Sequence, residues 1–120
     1  MNLGKLTVDE LVSFFASLSE QQYPLTLNDE VKSATRLIRQ QNEISKELRR
    51  RGIEARLELT KLFDHPNIQV RMNATKWSIG VARESALKVL RQITKEDLGA
   101  FRLSAGMTVA LVEDGTITPT

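Results

Sequence analysis

The sequence predicts an all-α fold of six helices, paired as three antiparallel hairpins and stacked as a short α-α superhelix. Three observations lead there. Helix caps and stops recur along all 120 residues. Between them apolar residues return at helical spacing, and no long segment alternates with the period-two rhythm of a sheet. The length suits one domain. It divides as 1–52, a long helix pair; 53–115, shorter helices; and 116–120, a tail.

Thr7 followed by Glu10 is a capping box, and Leu11, Phe14, Phe15 and Leu18 then recur on one side, so a first helix spans about 8–22. Tyr23-Pro24 ends it, because the residue before a proline is pushed out of the helical region. Asn28 caps a second helix, with Asp29 and Glu30 favouring its positive end. That helix carries Val31, Ala34, Leu37, Ile38, Ile44 and Leu48 and runs to Gly52, a C-terminal cap. At about 1.5 Å per residue it is the long strut of the molecule.

Ala55, Leu57, Leu59, Leu62 and Phe63 make a third helix, about 54–63, stopped by Asp64-His65-Pro66. Asn67 caps a fourth, with Val70, Ala74, Trp77 and Val81 inward and Gly80 near its end. A fifth spans about 83–94, burying Ala86, Leu87, Leu90 and Ile93. Beyond Gly99, Phe101, Ala105, Val109 and Val112 fit a last helix stopped by Asp114-Gly115. Thr108–Val112 also reads as a short strand, but a lone strand leaves its backbone unbonded, so helix is expected.

Composition excludes more than it names. With no cysteine there is no disulfide, thiolate metal site or cysteine nucleophile, and a single histidine leaves no multi-histidine metal site. No apolar run reaches a membrane span, and the first residues lack a signal-peptide stretch, so a cytoplasmic setting is expected. Charge is segregated. Residues 1–30 hold one Lys against five carboxylates, net −4. Residues 31–95 hold fifteen Lys/Arg against six Asp/Glu, net +9, and residues 96–120 one Arg against four, net −3. Either the acidic ends fold over the basic middle or the middle faces an acidic partner.

Leu62-Phe63-Asp64-His65-Pro66-Asn67 through Val70-Arg71-Met72-Asn73-Ala74 resembles the turn and second helix of a HEAT-type repeat, although no second copy is visible. The wider pattern, His65-Pro66-Asn67, Arg71, Asn73-Ala74, Ser104-Ala105-Gly106-Met107 and Asp114-Gly115, resembles a small bacterial HEAT-like, all-helical domain family of unknown function. The resemblance covers about residues 53–120. It implies a HEAT-like α-α superhelix in which the second helix of each pair lines a concave face.

For chemistry, His65 is the one imidazole, and Asp64 beside it is a possible orienting group. Turn formation explains Asp64-His65-Pro66-Asn67 without catalysis, and no nucleophile elbow or phosphate loop occurs, so no enzyme and no cofactor are expected. Arg49-Arg50-Arg51 fan over about 200° and read as a solvated helix end. Arg36, Arg39, Arg71, Asn73 and Lys76 fall outside the apolar stripes of helices 2 and 4 and are expected solvent-accessible on one side, as the binding face for a protein partner. Trp77 reads as core. The expected function is a protein-interaction module of adaptor or immunity type, monomeric or a homodimer, with a nucleic-acid backbone as the less favoured partner. Missing exposed aromatics for base stacking weigh against nucleic acid.

Overall fold

Thr7 and Glu10 form the reciprocal cap that opens the first helix. The Thr7 hydroxyl accepts from Glu10 N at 3.1 Å and the Glu10 carboxylate accepts from Thr7 N at 2.9 Å. The computed structural model of the chain describes residues 2–97 and 99–120. Among these residues the backbone makes six α-helices, two 3-10 segments and no strand. The helices are α1 (Val8–Leu27), α2 (Val31–Arg51), α3 (Ile53–Leu57), α4 (Ile68–Ser78), α5 (Arg83–Glu96) and α6 (Ala100–Glu113). The 3-10 turns are Leu3–Lys5 and Glu58–Leu62. Among the described residues no helix is long and apolar enough to cross a membrane.

Two expected boundaries move, for one reason. The first helix does not stop at Tyr23 but continues through Pro24 to Leu27. Proline removes one backbone donor and costs about 3 kcal/mol inside a helix. Tertiary anchors on either side of Pro24 outweigh that cost. Gln22 is buried, Tyr23 stacks on Phe101 with ring centroids 6.0 Å apart, and the Thr26 hydroxyl donates to Gln69 at 2.6 Å. Asn28 therefore closes α1 instead of capping α2. The turn is a Schellman motif: Glu30 N donates to Leu25 O at 2.9 Å, Asp29 N to Thr26 O at 3.2 Å, and Asp29 takes φ 55° where glycine is usual. The third helix also differs, breaking into α3 and the 3-10 turn that follows it.

Other signals hold. Gly52, at φ 114°, ends α2 with a backbone that side chains rarely adopt. Asn67 Oδ1 accepts from Gln69 N at 2.8 Å and Val70 N at 3.3 Å, capping α4. Asp97 accepts from Gly99 N and Arg102 N, satisfying donors at the start of α6, and 104–113 is helix rather than strand.

Sequence neighbours pack in pairs, α1 with α2, the 3-10 turn after α3 with α4, and α5 with α6, while α3 itself packs on α2. Their apolar faces form two clusters. One gathers Leu11, Phe15, Ile44, Leu48, Leu59, Val70 and Ala74; the other gathers Ile79, Leu87, Leu90, Ile93, Phe101 and Ala105. Helix α4 contributes to the first cluster and, through Ile68 and Met72, packs on the second, so it is the wall between them. Val70, Ala74, Leu62, Leu87 and Leu90 are buried as expected. Trp77, expected in the core, is only partly buried at the edge of the first cluster, and the Lys76 ammonium sits over its ring, 4.7 Å from the centroid.

The acidic ends do reach the basic middle. Glu96 pairs with Arg71 at 2.6 Å, Glu113 with Arg91 at 2.6 Å, Glu20 faces His65 at 3.4 Å, and Asp9 lies 4.0 Å from Lys61.

Candidate functional site

A groove of about 610 Å³ lies between α4 and α6. That volume is in the range that holds a small ligand or a few residues of peptide. Met72, Ile79, Leu90, Phe101 and Val112 make apolar walls, Ser104 and Thr108 of α6 stand on one rim, and Lys76 is the cation among the lining residues. Gln22, Gln69 and Asn73 put side-chain amides into its lining.

Those amides belong to a buried hydrogen-bonded chain across α2, α1 and α4. Gln41 Nε2 donates to Gln22 Oε1 at 2.9 Å, and Asn73 Nδ2 donates to the same oxygen at 2.8 Å. Asn73 Nδ2 also donates to Ser19 Oγ at 3.0 Å, while its Oδ1 accepts from Gln69 Nε2 at 2.9 Å. Gln69 Oε1 in turn accepts from the Thr26 hydroxyl. Asn73 is only 6% exposed. A satisfied network of this kind fixes helix register, because a slip would strand several buried polar groups at once. Its outer edge, at Gln22, Gln69 and Asn73, is also what a ligand in the groove would meet.

The five residues expected to share a binding face do not. Arg36 and Arg39 are exposed on α2, on the same helical side as Lys32, and no ion pair among the described residues involves any of the three. Lys76 is exposed and lines the groove. Asn73 corrects the expectation of solvent access, since its amide is used up in the network. Arg71 corrects it too: its side chain is 15% exposed and its guanidinium braces α4 against α5 through Glu96. The common face of helices 2 and 4 fails because α1 packs against both and separates them; no α2 residue lines the groove.

His65 accepts the Asn67 N–H on Nδ1 at 3.0 Å, so it supports the turn that starts α4. Arg50 and Arg51 do not simply fan into solvent. Both grip Glu47, and Arg51 also donates to Leu3 O at 3.1 Å, tying the first 3-10 turn to the end of α2. These two guanidiniums push the Glu47 carboxyl down to about 2. Among the described residues no three of His, Asp and Glu converge as a metal-binding group.

Sequence reasoning missed Gln22, Gln41 and Gln69. A signal was present for two of them. Gln22 lies four residues after Leu18 and seven after Phe15, and Gln41 four after Leu37 and three before Ile44, so both are polar residues on apolar stripes.

A family model described as "Domain of unknown function (DUF2019)" matches residues 9–113. The crystal structure of the protein RPA1889 from Rhodopseudomonas palustris CGA009 superposes with a TM-score of 0.93 at 32% identity, over 100% of this chain and 99% of that one. No curated protein matches the chain. The family match spans both apolar clusters and every member of the amide network, and the chain belongs to this family of all-helical domains of unknown function.

Proposed function

We propose that the protein is a HEAT-like protein-interaction domain, without catalytic activity, and that a partner polypeptide docks in the groove between α4 and α6. One observation carries the reading: α6 is apolar on both sides. Phe101, Ala105 and Val112 face the core, whereas Leu103 is 68% and Met107 57% exposed on the outer side. Leu103 and Met107, one turn apart on the outer side of α6, make an exposed apolar strip of the kind that a partner covers. The groove along its flank adds apolar walls and side-chain amides, the mixture that binds a polypeptide's side chains and main chain together. In this reading Arg36, Arg39 and Arg71 lie outside the docking surface, and Asn73 and Lys76 are the two of the five expected residues that line it.

The test pairs groove-mouth variants with stripe variants. Partners captured from native cell extract are purified and titrated calorimetrically against wild type, Ser104→Arg with Lys76→Glu, and Arg36→Glu with Arg39→Glu. The groove pair should weaken binding at least tenfold with unchanged circular dichroism, and the α2 pair should bind as wild type. Equal binding by the groove pair refutes the site. Capture of generic duplex DNA, lost in the α2 pair and weakening steeply with salt, would replace the protein partner by a phosphate backbone.

A further inference from the structure

The groove between α4 and α6 offers hydrogen-bond donors but almost no free acceptor from its amides. Its lining holds three side-chain amides, and all three oxygens are engaged. Gln22 Oε1 accepts from Gln41 and Asn73, Asn73 Oδ1 accepts from Gln69, and Gln69 Oε1 accepts from the Thr26 hydroxyl. The Asn73 nitrogen is spent as well, on Gln22 and Ser19. Gln22 Nε2 is different, because among the described residues it donates to nothing. Gln22 is 7% exposed, and what remains of its surface opens on the groove. The nitrogen is not sealed in, unlike the partnerless nitrogens of Arg56, Arg71 and Trp77. Its orientation is fixed. A flipped Gln22 amide would set its own N–H groups against the two donors that now grip its oxygen.

Charge in the lining has one sign. It includes no Asp or Glu, and Lys76 is its one charged residue. Residues 117–119, which pass along the groove beyond the turn at Gly115, add no charge. Lys76 is exposed and pairs with no carboxylate among the described residues. Its ammonium rests over the Trp77 ring, a weak contact at an exposed site, so the four-carbon stem is free to swing. Asn73 and Lys76 are neighbours at i and i+3 on one side of α4, and Asn73 bonds Gln22 directly. The free amide N–H groups and the free cation therefore lie about one helical turn apart.

One neutral donor and one cation suit the two oxygens of a carboxylate. Met72, Leu90 and Phe101 add apolar walls that a small bare anion would leave uncovered.

We propose that the groove binds an Asp or Glu side chain carried on an apolar segment of the partner polypeptide, one carboxylate oxygen on Gln22 Nε2 and the other on Lys76 Nζ. The proposal rests on the groove being the docking surface and names what that surface reads. Gln22 is the specificity residue, since Gln41 and Asn73 hold its donor in place. A neutral amide in the carboxylate's position forfeits the charge-assisted bonds, and a cation there meets Lys76 and a donor.

The experiment uses the full chain, labelled with nitrogen-15, and three pools of end-blocked pentapeptides. The central residue is Glu, Gln or Lys, and the other positions are mixtures of Ala, Ser, Leu and Phe. Titrations are followed through the Gln22 side-chain NH2 resonances, assigned by their loss in Gln22→Glu. The Glu pool should shift these signals and bind at least fivefold more tightly than the Gln pool, with the Lys pool weakest. Lys76→Met should bring the Glu and Gln pools within twofold of each other, with circular dichroism unchanged. Gln22→Glu keeps the oxygen that Gln41 and Asn73 need but replaces the donor, and should weaken the Glu pool at least tenfold and the Gln pool less than threefold. If Gln22→Glu does not fold, Lys76→Met at an exposed position decides alone, with the NH2 pair assigned from through-bond correlations. Equal affinity of the Glu and Gln pools for wild type overturns the proposal, as does a preference that survives Lys76→Met, Gln22 signals that stay unmoved, or no binding by any pool. Failure of the docking reading is a separate result, read from captured partner binding the groove-mouth pair as it binds wild type. Equal pools together with partner lost in that pair strike the carboxylate and leave the docking surface standing.

Discussion

Truncating Asn73 to alanine tests whether the buried amide chain holds α1, α2 and α4 in register. The substitution removes the bonds from Asn73 to Gln22 and Ser19 and the bond it accepts from Gln69. Gln22 Oε1 keeps its bond from Gln41, and the Ser19 hydroxyl keeps its bond to Phe15 O, so each loses one of two partners. Gln69 Nε2 loses its acceptor while 4% exposed, although the groove lets water approach it. At about 1 kcal/mol for each lost bond, the stability loss is about 3 kcal/mol. For a chain of this length that is a fall in Tm of about 12 °C. Urea unfolding followed by circular dichroism gives the free energy, with an unchanged m-value showing that the same surface is exposed. Asn73→Asp should cost more, because its carboxylate faces the Gln22 and Ser19 oxygens, and its loss should deepen as pH rises and the group ionises. A loss under about 0.5 kcal/mol for Asn73→Ala would refute the reasoning. So would coupling with Gln22→Ala below about 0.5 kcal/mol in a double-mutant cycle, since residues in one network should couple more strongly.

Glu47 should give a pH signature: its folded pKa of about 2 lies below the unfolded carboxylate's, so its contribution is complete above about pH 5 and is lost as pH falls toward 2. Thermal melts of wild type and Glu47→Gln should therefore differ at pH 6 and converge at pH 2; a gap independent of pH would contradict the pairing with Arg50 and Arg51. Asp29→Gly should raise stability by about 0.5–1 kcal/mol, because φ 55° costs an L-residue what glycine does not pay. A lower melting temperature for that variant would show that the Asp29 side chain contributes more than its backbone costs.

Local chemistry made much of this molecule legible. Thr7-Glu10 and Asn67 mark helix starts because their side chains bond backbone groups two or three residues away. Leu87, Leu90 and Ile93 lie inward because their spacing alone puts them on one side of α5. The all-helical class, the pairing of neighbours and the turn role of His65 follow from interactions of this range. The joint face of Arg36, Arg39, Arg71, Asn73 and Lys76 did not follow. Helical phase says which residues share a side of one helix, but not which helix lies beside another.

The tertiary structure decided whatever depends on groups far apart in sequence. Pro24 and Asn28 carry stop and start signals, yet Gln22, Tyr23 and Thr26 are held by Gln41, Phe101 and Gln69, and those distant contacts keep α1 helical through the proline. Asn73 looks like a surface amide until Ser19 and Gln22 surround it, and Arg71 like a binding group until Glu96 takes it up. Gly80 reads from sequence as a helix end, but Thr120 passing 40 residues later is what makes a side chain there intolerable. Caps and periodicity are short-range and additive, so the sequence alone carries them. The groove and the segment across it are made by surfaces that meet only after the chain has folded.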